Sequence, residues 1–216
     1  MAPDELTTFF ALLSTPDGTP AVAYIPAYAG NAASGEVAVA GYRALGDPIA
    51  DMVGPMPYLA LQQMLDDGFQ SGPHVYWRSH FLTGLPDDAI DIMVAAANAA
   101  PSPMNSVLVE HAGGAVARVG KDETAFDHRD AEYNFAVIAK WIDPNDADAN
   151  IAWARDLWNA MQPYARGVYV NYLGVGDSAD RVRAAYSPEK YARLASLKRQ
   201  YDPENLFRRN QNIPPA

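Results

Sequence analysis

The stretch YVNYLGVGDSADRVRAAYSPEKYARLASLKRQYDPENLFRRNQNIPP (169–215) carries the strongest local structural signals in the chain. Ser187-Pro188 has the pattern of a helix N-cap followed by a proline at the first helical position. Apolar residues then recur at helical spacing: Tyr191, Leu194, Leu197 and Tyr201. Asp202-Pro203 ends the helix, because the residue before a proline avoids the helical conformation. The stretch therefore predicts a strand end, an amphipathic helix and an extended tail that lies on another part of the protein.

Upstream of this stretch, short helical and strand patterns alternate. Strands are predicted over 20–30, 49–53, 74–82, 105–111, 115–119, 134–142 and 167–174. Helices are predicted over 4–13, 32–45, 57–66, 86–100 and 143–165. The Gly113-Gly114 pair predicts a hairpin between two strands, because both turn positions tolerate positive φ.

These elements predict an α+β fold: a mixed, mainly antiparallel sheet with helices packed on it, plus a C-terminal helix and extended tail. The pattern changes after Gly174. We therefore divide the chain into an α+β domain, 1–174, and a C-terminal segment, 175–216.

Composition excludes several classes of site. The 216 residues include no cysteine, which removes disulfides, thiol nucleophiles and iron–sulfur clusters. The four histidines show no metal-binding spacing, so no metal site is predicted. A net charge of −10 argues against nucleic acid as a partner. No apolar run is long enough to span a membrane, and the acidic N-terminus lacks a secretory signal pattern, so we expect a cytoplasmic protein.

The charge is unevenly distributed. From Leu173 to Ala216 there are eight Lys or Arg residues and five Asp or Glu residues, whereas the rest of the chain has eight and 21. One interpretation is chance surface composition. The other is that the basic segment docks on an acidic partner surface or near a phosphate.

Several segments together resemble one protein family. They are YWRS (76–79), HAGGAV (111–116), TAFDHRDAEYNF (124–135), YVNYLG (169–174) and KYARLASLKRQYDPENLFRRNQNIPP (190–215). In this order they resemble the berberine-bridge-enzyme-like, FAD-linked oxidases. The resemblance implies that 1–174 is a substrate-binding domain and 175–216 the family's C-terminal segment.

The resemblance also implies a flavin partner. Family members hold FAD mostly through an N-terminal domain whose pattern this sequence lacks, so we expect the chain alone to bind FAD weakly or not at all. The expected partners are an FAD-binding domain or subunit, or a second copy of the chain through the surface that domain would cover, together with a small-molecule substrate.

Tyr172 matches the tyrosine that serves as general base in many family members. A phenol has an unperturbed pKa near 10, so this role needs nearby positive charge or hydrogen-bond donors. The alternative is a tyrosine that only caps a strand. The resemblance places Asn171 beside the flavin, although a bond from its amide to strand backbone is the alternative. We also assign Asn210 and Asn212 in the tail to the cofactor side.

Three further residues are predicted substrate contacts. Asn134 falls where some relatives place a glutamate, and an amide cannot take a proton, which favours oxidation of an alcohol or a sugar-like hydroxyl through Tyr172. Glu110 matches a substrate-contacting position, and an exposed structural carboxylate is the alternative. Arg78 either holds a substrate carboxylate or faces solvent. His128-Arg129 also match the family, where we expect them to fix a loop.

Two functions remain open at this point. The chain is the substrate-binding part of an FAD-dependent oxidoreductase, with activity that requires an FAD-binding partner. Alternatively, it is a standalone ligand-binding or protein-interaction module without redox activity.

Overall fold

The computed structural model describes residues 2–174 and 177–216. Its centre is a six-stranded sheet in the order β2-β1-β4-β5-β3-β6, with neighbouring strands antiparallel. The strands are β1 (Leu6–Ser14), β2 (Pro20–Tyr28), β3 (His74–Leu82), β4 (Ser106–His111), β5 (Tyr133–Trp141) and β6 (Ala165–Gly167). The helices are α1 (Ala32–Arg43), α2 (Tyr58–Gln63), α3 (Asp87–Asn98), α4 (Ala115–Arg118), α5 (Ala147–Ala160), α6 (Ala179–Ala184) and α7 (Pro188–Tyr201). Short 3₁₀ turns cover Asp66–Phe69, Pro144–Asp146, Gln162–Tyr164 and Val170–Tyr172. The predicted α+β class is confirmed.

One face of the sheet is covered by α3 and α5. Strand residues on this helix face pack against both helices in one apolar cluster. Its fully buried members include Leu82, Met93, Val107, Phe135, Val137 and Met161. Burying side chains of this size supplies the main favourable free energy of folding. This apolar cluster holds the strands and the two helices together behind the second face of the sheet.

The second face of the sheet carries the alternate strand residues, because successive side chains of a strand point to opposite sides. Lys140, near one end of this face, donates to the Gly68 carbonyl oxygen, so the Asp66–Phe69 turn lies over that end. The Val170–Tyr172 turn lies over the other end. Between them, Leu108 and Trp77 are half-buried. Ala136 and Ile138, also between the two turns, are 0% and 2% exposed, so the middle of the second face is only partly accessible.

Two elements at the N-terminal half differ from the prediction. Residues 4–13 were predicted to be helical, but Leu6–Ser14 forms β1, an inner strand between β2 and β4. Residues 8–14 of β1 are half-buried or buried on both faces of the sheet, so its apolar residues form a continuous run, and a short run of this kind has the same composition as a buried helix. The predicted strand 49–53 is irregular, and Asp51 there binds Arg43 at 2.7 Å.

The predicted hairpin at Gly113-Gly114 is wrong. Gly114 adopts φ +65°, but it precedes the helical turn α4 instead of a second strand. The neighbours of β4 are β1 and β5, both distant in sequence. Pairing with these strands satisfies both edges of β4, so no local hairpin partner is required.

The predicted strand 167–174 is also wrong over most of its length. The chain leaves the sheet after β6 and makes the Val170–Tyr172 turn. At Gly167 a Cβ would lie 2.3 Å from the His128 ring, so only glycine fits there. His128 Nε2 in turn bonds the Ala184 carbonyl oxygen at 2.9 Å, and this contact ties its loop to α6.

The C-terminal segment folds back onto the turn that carries Tyr172. Helix α7 has the predicted bounds and a Ser187 N-cap. Beyond it, the Gln211 side-chain amide donates to the Leu173 carbonyl oxygen at 2.6 Å, and Ile213 packs with Val168 and Val182. The tail, which was expected to pack against an FAD-binding domain, therefore also packs on this chain itself. The proposed boundary at residue 175 lies outside the described residues.

Candidate functional site

Tyr172, Glu110 and Asn134 form one hydrogen-bonded cluster on the second face. The Tyr172 hydroxyl donates to Glu110 Oε1 at 2.5 Å. The Asn134 amide nitrogen donates to Glu110 Oε2 at 2.9 Å. Both carboxylate oxygens of Glu110 therefore accept a hydrogen bond from a residue predicted to belong to the site.

Sheet register brings this cluster together. Glu110 on β4 lies directly opposite Asn134 on β5, so their side chains are nearest neighbours on the second face. Tyr172 reaches them from the Val170–Tyr172 turn, 62 positions away in sequence from Glu110. At this turn the chain has already left the sheet. The Tyr172 side chain can therefore extend back over the end of β4 to Glu110.

Asn134 has one polar atom without a partner. The residue is 3% exposed, and its Oδ1 is a buried oxygen with no hydrogen-bond partner among residues 2–174 and 177–216. Its amide orientation follows from its neighbour, because an ionised carboxylate only accepts hydrogen bonds and so must face the amide nitrogen. A buried acceptor left unpaired is destabilising.

The environment of Tyr172 favours its neutral form. Burial raises the pKa of the phenol well above its usual value, and the negative charge of Glu110 raises it further. A side-chain hydrogen bond with Asn134 acts in the opposite direction but is a smaller effect. The positive charge expected to assist Tyr172 is thus replaced by a carboxylate, and the phenol acts as a hydrogen-bond donor.

Aromatic side chains surround the cluster. Trp77 and Tyr169 lie 6.3 Å and 5.9 Å from Tyr172 between ring centroids. Tyr169 also contacts Phe81 and Phe126, and these three line a cavity of about 200 Å³ beside the cluster. Flat aromatic walls of this kind suit planar or apolar parts of a ligand.

Asn171 lies next to this aromatic group, because its amide nitrogen donates to the Tyr169 hydroxyl at 2.8 Å. The side chain is exposed. Its amide oxygen therefore faces outward at the edge of the cluster, where a molecule on the second face can reach it.

Arg78 lies on the other side of the sheet. In β3 it alternates with Trp77 and Phe81, so it points to the helix face, away from Glu110. There it binds Asp177 at 3.0 Å, and Asp177 also binds Arg181 at 3.1 Å. The structure thus places Arg78 in an ion-pair network and does not bring it to the Tyr172 cluster.

Asp177 is a residue that the sequence analysis missed. Besides the two arginines, its carboxylate accepts the Gly174 backbone N–H at 2.8 Å. Its side chain is 6% exposed. Asp177 therefore connects β3, α6 and the chain just after Tyr172. The only sequence signal for it was its position between the glycine-containing stretch GVG (174–176) and the arginine-rich segment that forms α6.

The two tail asparagines lie further from the cluster. Asn210 is exposed and adopts φ +59°, and the Asn212 backbone N–H donates to its carbonyl oxygen at 2.9 Å. Within the described residues, no hydrogen bond joins either side chain to the Tyr172 cluster. Gln211, between them, is the tail residue that reaches the Tyr172 turn.

A metal site and a membrane-spanning helix are both absent from residues 2–174 and 177–216. No group of three or more His, Asp or Glu residues is close enough to hold a metal ion in this part of the chain. No helix in the same residues is long and apolar enough to cross a membrane.

Comparison with known proteins gives consistent matches. Residues 168–214 match the family model described as berberine and berberine like. An FAD-linked oxidoreductase of Dictyostelium discoideum is 30% identical over 217 residues, which cover 99% of this chain and 46% of that protein. The chain spans about half the length of the curated relative that it matches over nearly its whole sequence.

Solved structures show the same fold. The 6-hydroxy-D-nicotine oxidase of Arthrobacter nicotinovorans matches with a TM-score of 0.82 at 23% identity, over 100% of this chain and 49% of that one. A grass pollen allergen with glucose dehydrogenase activity matches with a TM-score of 0.78 at 19% identity, over 99% and 49%. At these identities the likeness establishes the fold.

Proposed function

The chain belongs to the berberine-bridge-enzyme-like, FAD-linked oxidoreductases, and from this we propose that it is the substrate-binding part of an enzyme that oxidises an alcohol or a sugar-like hydroxyl. The hydride would pass to FAD, and Tyr172 would receive the proton of the hydroxyl as its own proton passes to Glu110. The observation that carries the proposal is the Tyr172–Glu110–Asn134 cluster on the second face. It combines a phenol, a carboxylate and an unpaired acceptor in one place.

The cluster can bind and orient a hydroxyl group. The Tyr172 oxygen still has lone pairs to accept the substrate O–H, because its own proton is directed to Glu110. A phenol oxygen held in a fixed position by Glu110 favours a substrate with a hydroxyl donor, and this supports an alcohol or a sugar-like compound.

The residues present fit one side of a flavin-containing site. FAD supplies the hydride acceptor when bound, whereas the protein binds and orients the reactants. The aromatic side chains around Tyr172 and the outward amide of Asn171 suit the edge of a flat ring. The cluster itself contains no Lys or Arg to bind a diphosphate. We therefore propose that another domain or subunit holds FAD and closes over the second face.

The experiment adds an FAD-binding portion to the chain. The chain is co-expressed with the FAD-binding portion of a matched relative, and the purified complex is tested for the visible absorbance of flavin. Anaerobic addition of primary alcohols and aldoses should then bleach the flavin.

Tyr172→Phe should slow this bleaching by about 10²–10⁴-fold, because general base catalysis contributes roughly that factor. Tyr58→Phe is the matched control, since Tyr58 is 73% exposed on α2, and it should leave the rate unchanged. A colourless complex that FAD does not restore, but that still binds such compounds, would instead support a binding module without redox activity.

A further inference from the structure

Three arginines meet on the helix face of the sheet, away from the candidate functional site. They are Arg78 on β3, Arg155 on α5 and Arg181 on α6. Arg78 and Arg155 stand over the ring of Tyr76, with their Cζ atoms 4.8 Å and 5.5 Å from its centroid. Arg78 and Arg181 bind the same carboxylate, that of Asp177. We propose that these three arginines, here called the arginine site, bind a dianionic phosphate group.

The arginine site carries more positive than negative charge. Asp177 is the only acid within 4.0 Å of any of the three guanidinium groups in the described part of the chain, so two positive charges are left unbalanced. Arg43, in contrast, has both Glu36 and Asp51 as partners. The net charge of the chain is −10, but exposed charges more than about 10 Å away are largely screened at 0.1 M ionic strength. A dianion therefore matches the local excess.

Much of the hydrogen-bonding capacity of the arginine site is unused. A guanidinium has five N–H donors in one plane. Within the described residues, the Arg78 side chain makes one hydrogen bond, from Nη1 to Asp177 at 3.0 Å. Arg155 also makes one, from Nε to the Tyr76 hydroxyl at 3.1 Å. The unpaired nitrogens of Arg78 and Arg181 are not among the buried atoms of this part of the chain. Their N–H groups therefore reach solvent, where phosphate oxygens can accept from them.

Aromatic contacts hold the guanidinium planes in place. Arg181 Cζ lies 4.8 Å from the ring centroid of Trp158. Trp158 follows Arg155 by three residues on α5, so the two lie on the same side of that helix. Stacking uses the flat face of a guanidinium and leaves its in-plane donors available. A phosphate group has oxygens on several sides and can accept from more than one of these arginines at once, whereas a carboxylate has only two oxygens.

The arginine site lies behind the sheet from Tyr172, so its ligand is distinct from the substrate and the flavin of the proposed function. Asp177 connects the two sides, because it also accepts the Gly174 backbone N–H at 2.8 Å. Phosphate bound to Arg78 and Arg181 would add a second acceptor to the group that joins β3, α6 and this backbone. We therefore expect bound phosphate to stabilise the folded chain, and to do so increasingly with its concentration.

Isothermal titration calorimetry of the full chain tests the site directly. Inorganic phosphate is titrated at mildly alkaline pH, where it is mainly dianionic, and sodium chloride keeps the ionic strength constant. We expect one phosphate per chain with a Kd of about 1 mM or lower. Absence of saturable binding up to about 10 mM phosphate would overturn the proposal.

Arg155→Gln is the test variant, because Arg155 is exposed and lies outside the Asp177 ion pairs, so the fold should be retained. Loss of one guanidinium should weaken phosphate binding by about 10-fold or more. Arg155→Lys keeps the charge but not the planar donors, and its affinity should be intermediate. Arg193→Gln removes the same charge from an exposed position on α7 and should bind like wild type. Equal weakening in Arg155→Gln and Arg193→Gln would show dependence on net charge alone and would contradict a site at these residues.

Asp177→Asn should change the affinity in the opposite direction. It removes the carboxylate that competes for Arg78 and Arg181, so phosphate should bind about 10-fold more tightly. Phosphate should also raise the thermal midpoint of this less stable variant by more than that of wild type. An equal rise in Asp177→Asn, wild type and Arg155→Gln at constant ionic strength would be a general salt effect and would count against the site.

A second titrant distinguishes the two sources of a phosphate group. Glycerol 3-phosphate is a monoester with the same dianionic head. Binding at least as tight as that of inorganic phosphate would identify the ligand as a phosphate ester, and weaker binding would identify it as free phosphate. Either result supports the arginine site when Arg155→Gln weakens it. None of these measurements needs flavin or turnover, so failure of this proposal leaves the proposed function in place.

Discussion

His80 is a buried titratable residue on the helix face, and it makes stability depend on pH. It is 3% exposed, its ring stacks on Trp158 at 4.9 Å, and its Nε2 donates to the Trp158 carbonyl oxygen at 3.2 Å. Burial lowers the pKa of His80 to about 4, and the charge of Arg181 adds to this effect. The imidazole is therefore neutral in the folded protein at any pH well above 4.

The sign of the pH effect follows from the two pKa values. Between the unfolded value of 6.5 and the folded value of about 4, the unfolded chain binds a proton that the folded chain does not. Stability is therefore complete above about pH 6.5 and falls as pH falls towards 4. Once pH lies below both pKa values, this difference lowers the free energy of unfolding by about 3 kcal/mol, at roughly 1.4 kcal/mol per pH unit.

Urea unfolding at pH 7 and pH 4.5 measures this loss. We expect about 2 kcal/mol less stability for wild type at pH 4.5, and a much smaller change for His80→Asn. His74→Asn is the control, because His74 is exposed on the same strand, and it should keep the wild-type dependence. Equal losses in wild type and His80→Asn would contradict the assignment. Carboxyl groups with lowered pKa, such as Asp127 and Asp202, titrate below this window.

At the scale of elements, α7 is held by a cap at each end. At its start, the Ser187 hydroxyl accepts the Lys190 backbone N–H. At its end, the buried Asp202 carboxylate accepts the backbone N–H groups of Leu206 and Phe207. One residue thus ends the helix and begins the tail that returns to the Tyr172 turn.

Removing the first cap should destabilise the protein measurably. Ser187→Ala leaves a helix-terminal N–H without its partner, and we expect a loss of about 1 kcal/mol in the free energy of unfolding. Ser196→Ala is the control, because Ser196 is exposed within α7, where alanine is the better helix former. Urea unfolding should show opposite signs for the two variants, and a loss of equal size in both would exclude the cap as the cause.

The ion-pair network around Asp177 joins three elements. Asp177→Asn would leave the half-buried Arg78 and Arg181 facing each other without a carboxylate. Loss of one partner from a buried pair typically costs about 3–5 kcal/mol, and we expect the lower part of this range. The control is Asp130→Asn, since the Asp130–Arg166 pair is exposed and should contribute under about 1 kcal/mol. Thermal unfolding of both variants distinguishes them, and equal shifts would show that Asp177 is no more than a surface partner.

These elements show which features local sequence predicts. Helix α7 and strand β3 were predicted with their bounds because caps, prolines and alternation are local signals. Strand β1 and the α4 turn were predicted wrongly, because their structure depends on distant strands that cover or pair with their neighbours.

The candidate site shows the same contrast between local sequence signals and contacts with distant elements. Tyr172, Glu110 and Asn134 were each predicted from short motifs, but their contact with one another depends on strand register and on the fold of the C-terminal turn. Arg78 was assigned to the substrate, whereas its strand position points it to the helix face. Asp177 was missed because its partners lie on other elements.

At the scale of the whole molecule, exposed apolar side chains indicate the surface that another domain would cover. The C-terminal segment presents an apolar patch, defined as Leu197, Tyr201, Leu206 and Phe207. The last three are 77%, 72% and 82% exposed. Arg208 and Arg209 follow directly and are exposed as well. Contiguous exposed apolar residues with a charged rim are typical of protein interaction sites.

We expect this C-terminal patch to contact the FAD-binding portion, and to mediate self-association when that portion is absent. The double variant Leu206→Ser/Phe207→Ser should weaken both associations, because it removes two adjacent apolar side chains of the patch that are 72% and 82% exposed. Since neither side chain is buried in the chain itself, the thermal midpoint should stay within a few degrees of wild type. Light scattering over a concentration series measures self-association, and co-purification measures binding of the FAD-binding portion.

The control variant is Tyr58→Ser/Leu59→Ser, which removes two side chains of similar exposure, 73% and 67%, from α2. If association depended only on total exposed apolar area, both double variants would weaken it equally. A patch-specific contact predicts that only the C-terminal variant does so. Because Gln211 links the same tail to Leu173, a partner seated on the patch would also be placed next to Tyr172. In nuclear magnetic resonance spectra of ¹³C-tyrosine-labelled protein, binding of the FAD-binding portion should then shift the Tyr172 signal in wild type. The same signal should stay unchanged in Leu206→Ser/Phe207→Ser.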